Sequence, residues 1–246
     1  MNLTQYQSVL KTLSKGFLDV IYPPFCLVCD SKLMVNEKAV CSSCWTQLTP
    51  VVEWDWKEKI TFGEGIDKVM TGWYFDDLFQ TIIHNLKYQE FRIIAKEFGI
   101  RLAKMFKQEI SNDQIEVVIP ISLHKVKLKQ RGFNQSALIA SPMARELHIE
   151  YRPNLVIRHR NTVSQTSLGV DDRRKNVSGA FRVKDMEEFR RFLIVDDVLT
   201  TGATLSACAQ SLRKSGAHYI SVITAGTPKK PVVKQIEDEN ENDQRS

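Results

Sequence analysis

No stretch of the 246-residue chain approaches the roughly 18 consecutive apolar residues that a membrane span requires. That absence excludes a transmembrane helix as its organising feature. Nor does the N-terminus have the pattern of a secretory signal. Its apolar residues Leu3, Tyr6, Leu10, Leu13 and Phe17 are spaced for a helix, Lys11 and Lys15 lie between them, and no small-residue cleavage site follows. The spacing predicts an amphipathic helix, packed on its own domain or offered to a partner protein. The expected compartment is the cytoplasm. A dominant charge is missing too. The formal net charge of +5 allows an anionic ligand without requiring nucleic acid. Cysteine is sparse, with five residues, four of them confined to 26–44, which argues against a disulfide-stapled scaffold. What remains is ordinary globular composition, 43% hydrophobic and 26% charged. The length suffices for one α/β domain with a small appendage.

The clustered cysteines read CLVCDSKLMVNEKAVCSSC. Two CxxC pairs, Cys26/Cys29 and Cys41/Cys44, are separated by eleven residues. Each pair can turn two thiolates toward one point, and four thiolates close a tetrahedral shell around Zn²⁺. Such a shell leaves no position for water, so the metal is structural. It helps a segment too short for its own core to fold. An iron–sulfur cluster uses the same ligand set, and a redox dithiol is the bland alternative. Cys208, inside ATLSACAQSL, reads as a small core residue. Pro23 and Pro24 stop the first helix before this module. Trp45, Trp54 and Trp56 follow it, either to pack it onto the main domain or to stack on a base.

Downstream the pattern alternates between helix and strand. Leu78, Ile82, Ile83 and Leu86 share one helical face, and Ile94, Phe98, Leu102 and Met105 share another. Strands are expected at 115–120, 155–159, 180–183, 192–196 and 219–226. Helices are expected at 134–147, with Pro142 kinking it or delaying its start, and at 203–217, ending at Gly216. Short apolar strands between helices predict a mainly parallel sheet covered on both faces. Three segments result: residues 1–56 as N-terminal helix and metal module, 57–230 as the α/β domain, and 231–246 as an acidic tail expected to be disordered. Two basic loops stand out. HKVKLKQRGFNQ supplies Lys125, Lys127, Lys129 and Arg131, and DDRRKN supplies Arg173, Arg174, Lys175 and Asn176. Such loops suit a diphosphate or the phosphates of a DNA strand equally well. His124 reads as a loop ligand, a base, a phosphate donor or an ordinary surface histidine, and His84 as a helix-surface residue.

The densest signal is FLIVDDVLTTGAT at 192–204. A buried strand runs into two carboxylates and then into a turn that starts a helix. The helix start, with its unpaired amides and partial positive charge, suits a phosphate. Gly202 lets the backbone come close, and Thr200, Thr201 and Thr204 add hydroxyls. A Gly202→Val change is expected to crowd the turn and block the phosphate with the fold intact. No lysine follows the turn, which excludes the GxxxxGK[ST] loop of an ATPase. Two acids beside a phosphate cradle need another partner, and vicinal sugar hydroxyls supply one. The carboxylates also stabilise positive charge on a sugar ring, and Mg²⁺ can be held nearby.

Apolar residues followed by DDVLTTGAT resemble the signature of type I phosphoribosyltransferases. IPISLHKVKLKQRGFNQS (119–136), VSQTSLGVDDRRKNVSGAF (163–181), IHNLKY (83–88) and CxxC…CxxC resemble the ComF family, also described as ComFC-like, over about residues 18–226. The resemblance implies a type I phosphoribosyltransferase fold behind a Cys₄ zinc module. It also implies binding of phosphoribosyl pyrophosphate with Mg²⁺ and a link to natural competence and the handling of transforming DNA. Asp196 and Asp197 then contact the ribose hydroxyls, and Val198, Thr200, Thr201, Gly202, Ala203 and Thr204 surround the 5′-phosphate. Lys125 and Arg131 belong to the pyrophosphate loop, and Arg173 and Asn176 to a mobile loop closing over it. A base-accepting hood is expected from residues 46–75. The glutaminase domain and catalytic first cysteine of glutamine amidophosphoribosyltransferases are not expected here. Two functions follow. One is a phosphoribosyltransferase, a pentosyl-transferring glycosyltransferase with its acceptor open. The other is a non-catalytic module that senses phosphoribosyl pyrophosphate or grips single-stranded DNA beside a competence helicase or recombination mediator. A purely structural zinc adaptor fits less well with the intact ligand loop.

Overall fold

A computed structural model describes residues 24–52, 55–84, 91–160, 179–186 and 188–229. The N-terminal amphipathic segment, Trp54, residues 85–88, the segment 163–178 with Arg173, Arg174, Lys175 and Asn176, and the acidic tail lie outside those residues. Among the described residues no helix is long and apolar enough to cross a membrane.

Seven strands are present among them: β1 (Lys68–Tyr74), β2 (Val117–Pro120), β3 (Glu150–Tyr151), β4 (Val156–Arg158), β5 (Phe181–Val183), β6 (Arg191–Val198) and β7 (Tyr219–Thr227). Five form one all-parallel sheet in the order β1-β7-β6-β2-β3. Its central strands read as continuous apolar runs because both faces are covered. The period of two is nevertheless there. Leu193 and Val195 face one core with Val118, Ile223 and Ala225. Phe192 and Ile194 face the other with Val117, Ile119, Ile220 and Val222.

The helices are α1 (Ser42–Thr46), α2 (Trp56–Lys59), α3 (Asp77–His84), α4 (Phe91–Met105), α5 (Lys107–Asn112), α6 (Lys125–Arg131), α7 (Gln135–Leu147) and α8 (Ala203–Lys214). α4 and α7 contribute Phe98, Leu102, Ile139 and Met143 to the first core. α8 contributes Leu205, Cys208 and Leu212 to the second. Pro142 sits inside α7 without ending it.

Several expectations change. The strands expected at 155–159 and 180–183 do not enter the parallel sheet; they pair antiparallel with each other as a separate ribbon. Residues 68–74, assigned above to a hood, are an edge strand of the main sheet. Val69, Met70 and Trp73 are interrupted by Thr71 and Gly72, so no apolar run announces this strand. Thr71 is buried all the same, because its hydroxyl accepts from Thr224 Oγ1 at 3.0 Å. The first basic loop is largely a helix, α6, none of whose residues is buried.

The cysteine module is docked on the sheet rather than tethered beside it. Trp45 of α1 is buried, edge-on to Phe98 with centroids 4.9 Å apart and 6.3 Å from Trp73. The Arg101 guanidinium lies 4.6 Å from its ring centroid. Cys26, Leu33, Val40 and Leu48 belong to the same apolar cluster as Phe98 and Leu102. Packing is thus the role of Trp45. Trp56 is half-buried against the second core.

Candidate functional site

Parallel strands place their carboxyl ends along one edge of the sheet. From β2 the chain passes through α7 to β3, outward in one direction; from β6 it passes through α8 to β7, in the other. A crevice forms where neighbouring strands diverge in this way. A cavity of about 330 Å³ lies there, lined by the residues that follow β2 and end β6.

One wall is Asp196 and Asp197, the last acidic residues of β6. Asp196 Oδ1 accepts from Asp197 N at 3.0 Å and from Ser136 Oγ at 2.7 Å. Asp197 Oδ1 accepts from Val198 N at 2.9 Å. Asp196 is half-buried by exposed area, yet its carboxyl is densely surrounded by protein. Burial and then the neighbouring Asp197 raise its pKa well above that of an ordinary aspartate, against the opposing bonds from Ser136 and Asp197 N.

The second wall is the turn into α8. Val198, Thr200, Gly202, Ala203 and Thr204 line the cavity, joined by Leu199 and Leu205. The start of α8 leaves first-turn amides without intrahelical acceptors and adds partial positive charge. Thr201 differs from the expectation. It is buried, absent from the lining, and its Oγ1 lies 3.5 Å from Ala203 N. Its hydroxyl serves the turn rather than a ligand. Gly202 takes the left-handed conformation, φ +82°. A Cβ there would meet the Phe62 carbonyl oxygen at 2.2 Å, on the side of the strap formed by residues 60–66. Phe62 N donates to Thr201 O at 3.0 Å, closing that contact. The expectation that Gly202→Val spares the fold is therefore wrong. The glycine is required by a backbone-to-backbone approach as well as by the turn.

The third side is cationic. Lys127 and Arg131 of α6 and Arg158 of β4 line the cavity. Lys125, singled out above, does not; it is exposed at the first position of α6. Lys127, two residues on, occupies the place assigned to it. Burial, then Arg158, then Arg131 lower the Lys127 pKa. Burial also lowers that of Arg158, and Asp196 opposes this by attraction. The attraction does not outweigh burial and Asp197 at the aspartate. Three cations crowded in this way favour an anion between them. Arg158 also lies 5.5 Å from the Phe181 ring centroid, held by the β4–β5 ribbon.

RGFNQS acquires a physical account. Arg131 donates to Gln135, and Gly132 closes α6 in the left-handed conformation, φ +77°. Asn134 Nδ2 donates to Ile121 O at 2.9 Å, pinning the start of α7 to the end of β2. Ser136 then reaches Asp196. His124 is the N-cap of α6, its Nδ1 accepting from Val126 N at 3.4 Å. Sequence reasoning did not single out Ser136 or Arg158 as site residues. Nothing in local spacing marks them, since both depend on how separate elements meet. Cys208 lies in the core as expected, its thiol held protonated by burial and by the charge of Asp196.

A second constellation lies in the module. The Sγ atoms of Cys26, Cys29, Cys41 and Cys44 all lie within 4.8 Å of one another. Cys26 and Cys44 are 3.9 Å apart, and Cys29 and Cys41 3.6 Å apart. A tetrahedron with Zn–S bonds of about 2.3 Å has edges of about 3.8 Å. The thiols thus fit zinc and are too far apart for disulfides. Cys41 N points to Cys26 Sγ at 3.3 Å and Cys44 N to Cys41 Sγ at 3.4 Å, the backbone donors that stabilise thiolates in a structural site.

Comparison with known proteins agrees with both constellations. Residues 17–54 match the double zinc ribbon domain, although only four cysteines, one ligand set, lie in that span. Residues 134–240 match the phosphoribosyl transferase domain. Competence protein F of Haemophilus influenzae is 29% identical over 205 residues, covering 81% of this chain and 82% of the relative. DNA utilization protein YhgH of Escherichia coli K12 is 33% identical over 144 residues, which are 57% of this chain and 63% of the relative, so less than two thirds of that protein is spanned. Competence protein ComFC of Bacillus subtilis is 22% identical over 229 residues, covering 80% and 91%. A four-thiol module packed on a parallel sheet, with paired acids and a helix-start turn at its switch point, and this pattern of relatives together support a ComF-family protein.

Proposed function

We propose that this chain binds phosphoribosyl pyrophosphate together with Mg²⁺ and acts as a cytoplasmic phosphoribosyltransferase in natural competence. The observation that carries the proposal is the three-sided cavity: paired carboxylates, a helix-start turn, and the cations Lys127, Arg131 and Arg158 around one volume of about 330 Å³. A sugar with a phosphate at one end and a diphosphate at the other matches all three sides. The carboxylates accept hydrogen bonds from the vicinal hydroxyls and stabilise positive charge as the glycosidic bond loosens. The turn holds the 5′-phosphate. The cations hold the diphosphate as it leaves. Asp196 and Asp197, with hard oxygens beside the diphosphate side, suit Mg²⁺, which when bound neutralises charge on the leaving group. The relatives named for competence and DNA utilization support the biological setting.

The test is diphosphate release from labelled phosphoribosyl pyrophosphate with Mg²⁺ and pooled nucleobases. Release above that of an Asp196→Asn/Asp197→Asn variant is expected. Lys127→Ala is expected to weaken binding about tenfold, and Lys125→Ala to leave it unchanged. Binding without release, together with single-strand binding, assigns the pocket to the sensing or DNA-gripping module instead. Failure to bind phosphoribosyl pyrophosphate refutes the proposal.

A further inference from the structure

The two ligand-facing carboxylates are held differently. In each, Oδ1 accepts from the backbone N–H of the next residue, at 3.0 Å for Asp196 and 2.9 Å for Asp197. Among the described residues only Asp196 has a second donor on that oxygen, Ser136 Oγ at 2.7 Å. Ser136 comes from a different element, 60 residues away in the chain, and is 4% exposed. Its own position is fixed from both sides. Asn134 ties the helix start to Ile121 O, and Gln135 accepts from Arg131 at the cavity rim. A carboxylate free to rotate about its last bond presents either oxygen to a ligand. With two donors gathered on Oδ1, the rotation is restrained and Oδ2 is the oxygen left for a ligand in the cavity that Asp196 lines.

We infer that Ser136 is a positioning residue that sets the selectivity of this pocket for a ribose ring with vicinal hydroxyls. It does so by locking the Asp196 carboxylate so that Oδ2 faces the diol. The inference rests on the ribose-phosphate reading of the cavity and adds to it the device that enforces discrimination. A serine that merely joined α7 to β6 would affect stability and all ligands alike. A serine that aims Asp196 affects only ligands carrying the hydroxyls. Discrimination of this kind is steep, because a site built for a hydroxyl leaves its buried acceptor unpaired when the hydroxyl is missing.

The experiment uses the full zinc-loaded chain and two probes, ribose 5-phosphate and tetrahydrofurfuryl phosphate. The second keeps the ring and the phosphate and lacks the diol. Affinities are measured by calorimetry for wild type, Ser136→Ala and Ser136→Thr, with thermal melts and zinc content as checks on folding. Wild type is expected to prefer ribose 5-phosphate. Ser136→Ala is expected to lose about tenfold in affinity for ribose 5-phosphate and to keep its affinity for the diol-free probe. Ser136→Thr, which retains the hydroxyl donor, is expected to restore the preference. If Ser136→Ala does not fold, Ser136→Cys keeps the volume with a poor donor and carries the same expectation. Equal loss for both probes, or loss for neither, overturns the inference while leaving the ribose-phosphate reading standing. If wild type binds neither probe, that reading falls and this inference with it.

Discussion

Alanine at position 202 separates two reasons for a glycine that coincide in the phosphate turn. The first is conformational: at φ +82° a Cβ costs about 1 kcal/mol. The second is contact. The new Cβ would lie 2.2 Å from Phe62 O and 3.3 Å from Ile60 Cδ1, so the strap must retreat by about 1 Å. That retreat breaks the Phe62 N–H bond to Thr201 O, about 1 kcal/mol, and disturbs buried Phe62 and Ile60, about 1 kcal/mol more. The expected cost is about 3 kcal/mol, or a fall in Tm of about 6–12 °C for a chain of this length. Gly132 provides the control. Its φ is +77°, but nothing lies within 4 Å of its missing Cβ. Gly132→Ala therefore bears only the conformational cost, about 1 kcal/mol and about 2–4 °C. The assay is thermal unfolding by circular dichroism with zinc present for wild type and both variants. Equal melting temperatures for the two variants refute the assignment of Gly202 to the strap contact.

Cys41→Ser removes one of four zinc ligands; metal analysis should fall from one zinc per chain toward none, with loss of the Trp45 environment by fluorescence, and unchanged stoichiometry argues against the four-thiol site. For Asp196 the sign follows from its raised pKa. Between the unfolded and folded values the folded chain holds a proton that the unfolded chain lacks, so stability falls as pH rises through that window, and the penalty is complete above the folded pKa. Asp196→Asn is thus expected to be more stable than wild type at pH 8 by about 1 kcal/mol, with the advantage shrinking as pH falls toward the ordinary aspartate range. An advantage independent of pH in urea unfolding contradicts the buried, repelled carboxyl.

The clearest parts of the fold were legible because their signals are local. The Cys26–Cys44 spacing, the β6 run into Asp196 and Asp197, and the helix after Gly202 each carry their chemistry within a short window. β1 was not legible, because its burial depends on Thr71 finding Thr224 on the neighbouring strand. The β4–β5 ribbon was legible as two strands but not as a separate pair, because pairing partners are set by the space left around the sheet. Lys125 and Lys127 were indistinguishable by composition. Only the pitch of α6 decides which of them reaches the cavity.

By itself the sequence determined the covalent ligand sets and the local elements: four thiols at zinc spacing, and acids immediately before a glycine turn. These are properties of neighbours along the chain. The tertiary structure alone decided that Ser136 holds Asp196, that Arg158 joins Lys127 and Arg131, and that Phe62 requires Gly202. Those contacts join residues far apart in sequence, and no local pattern encodes a meeting that only the packing of helices on the sheet brings about.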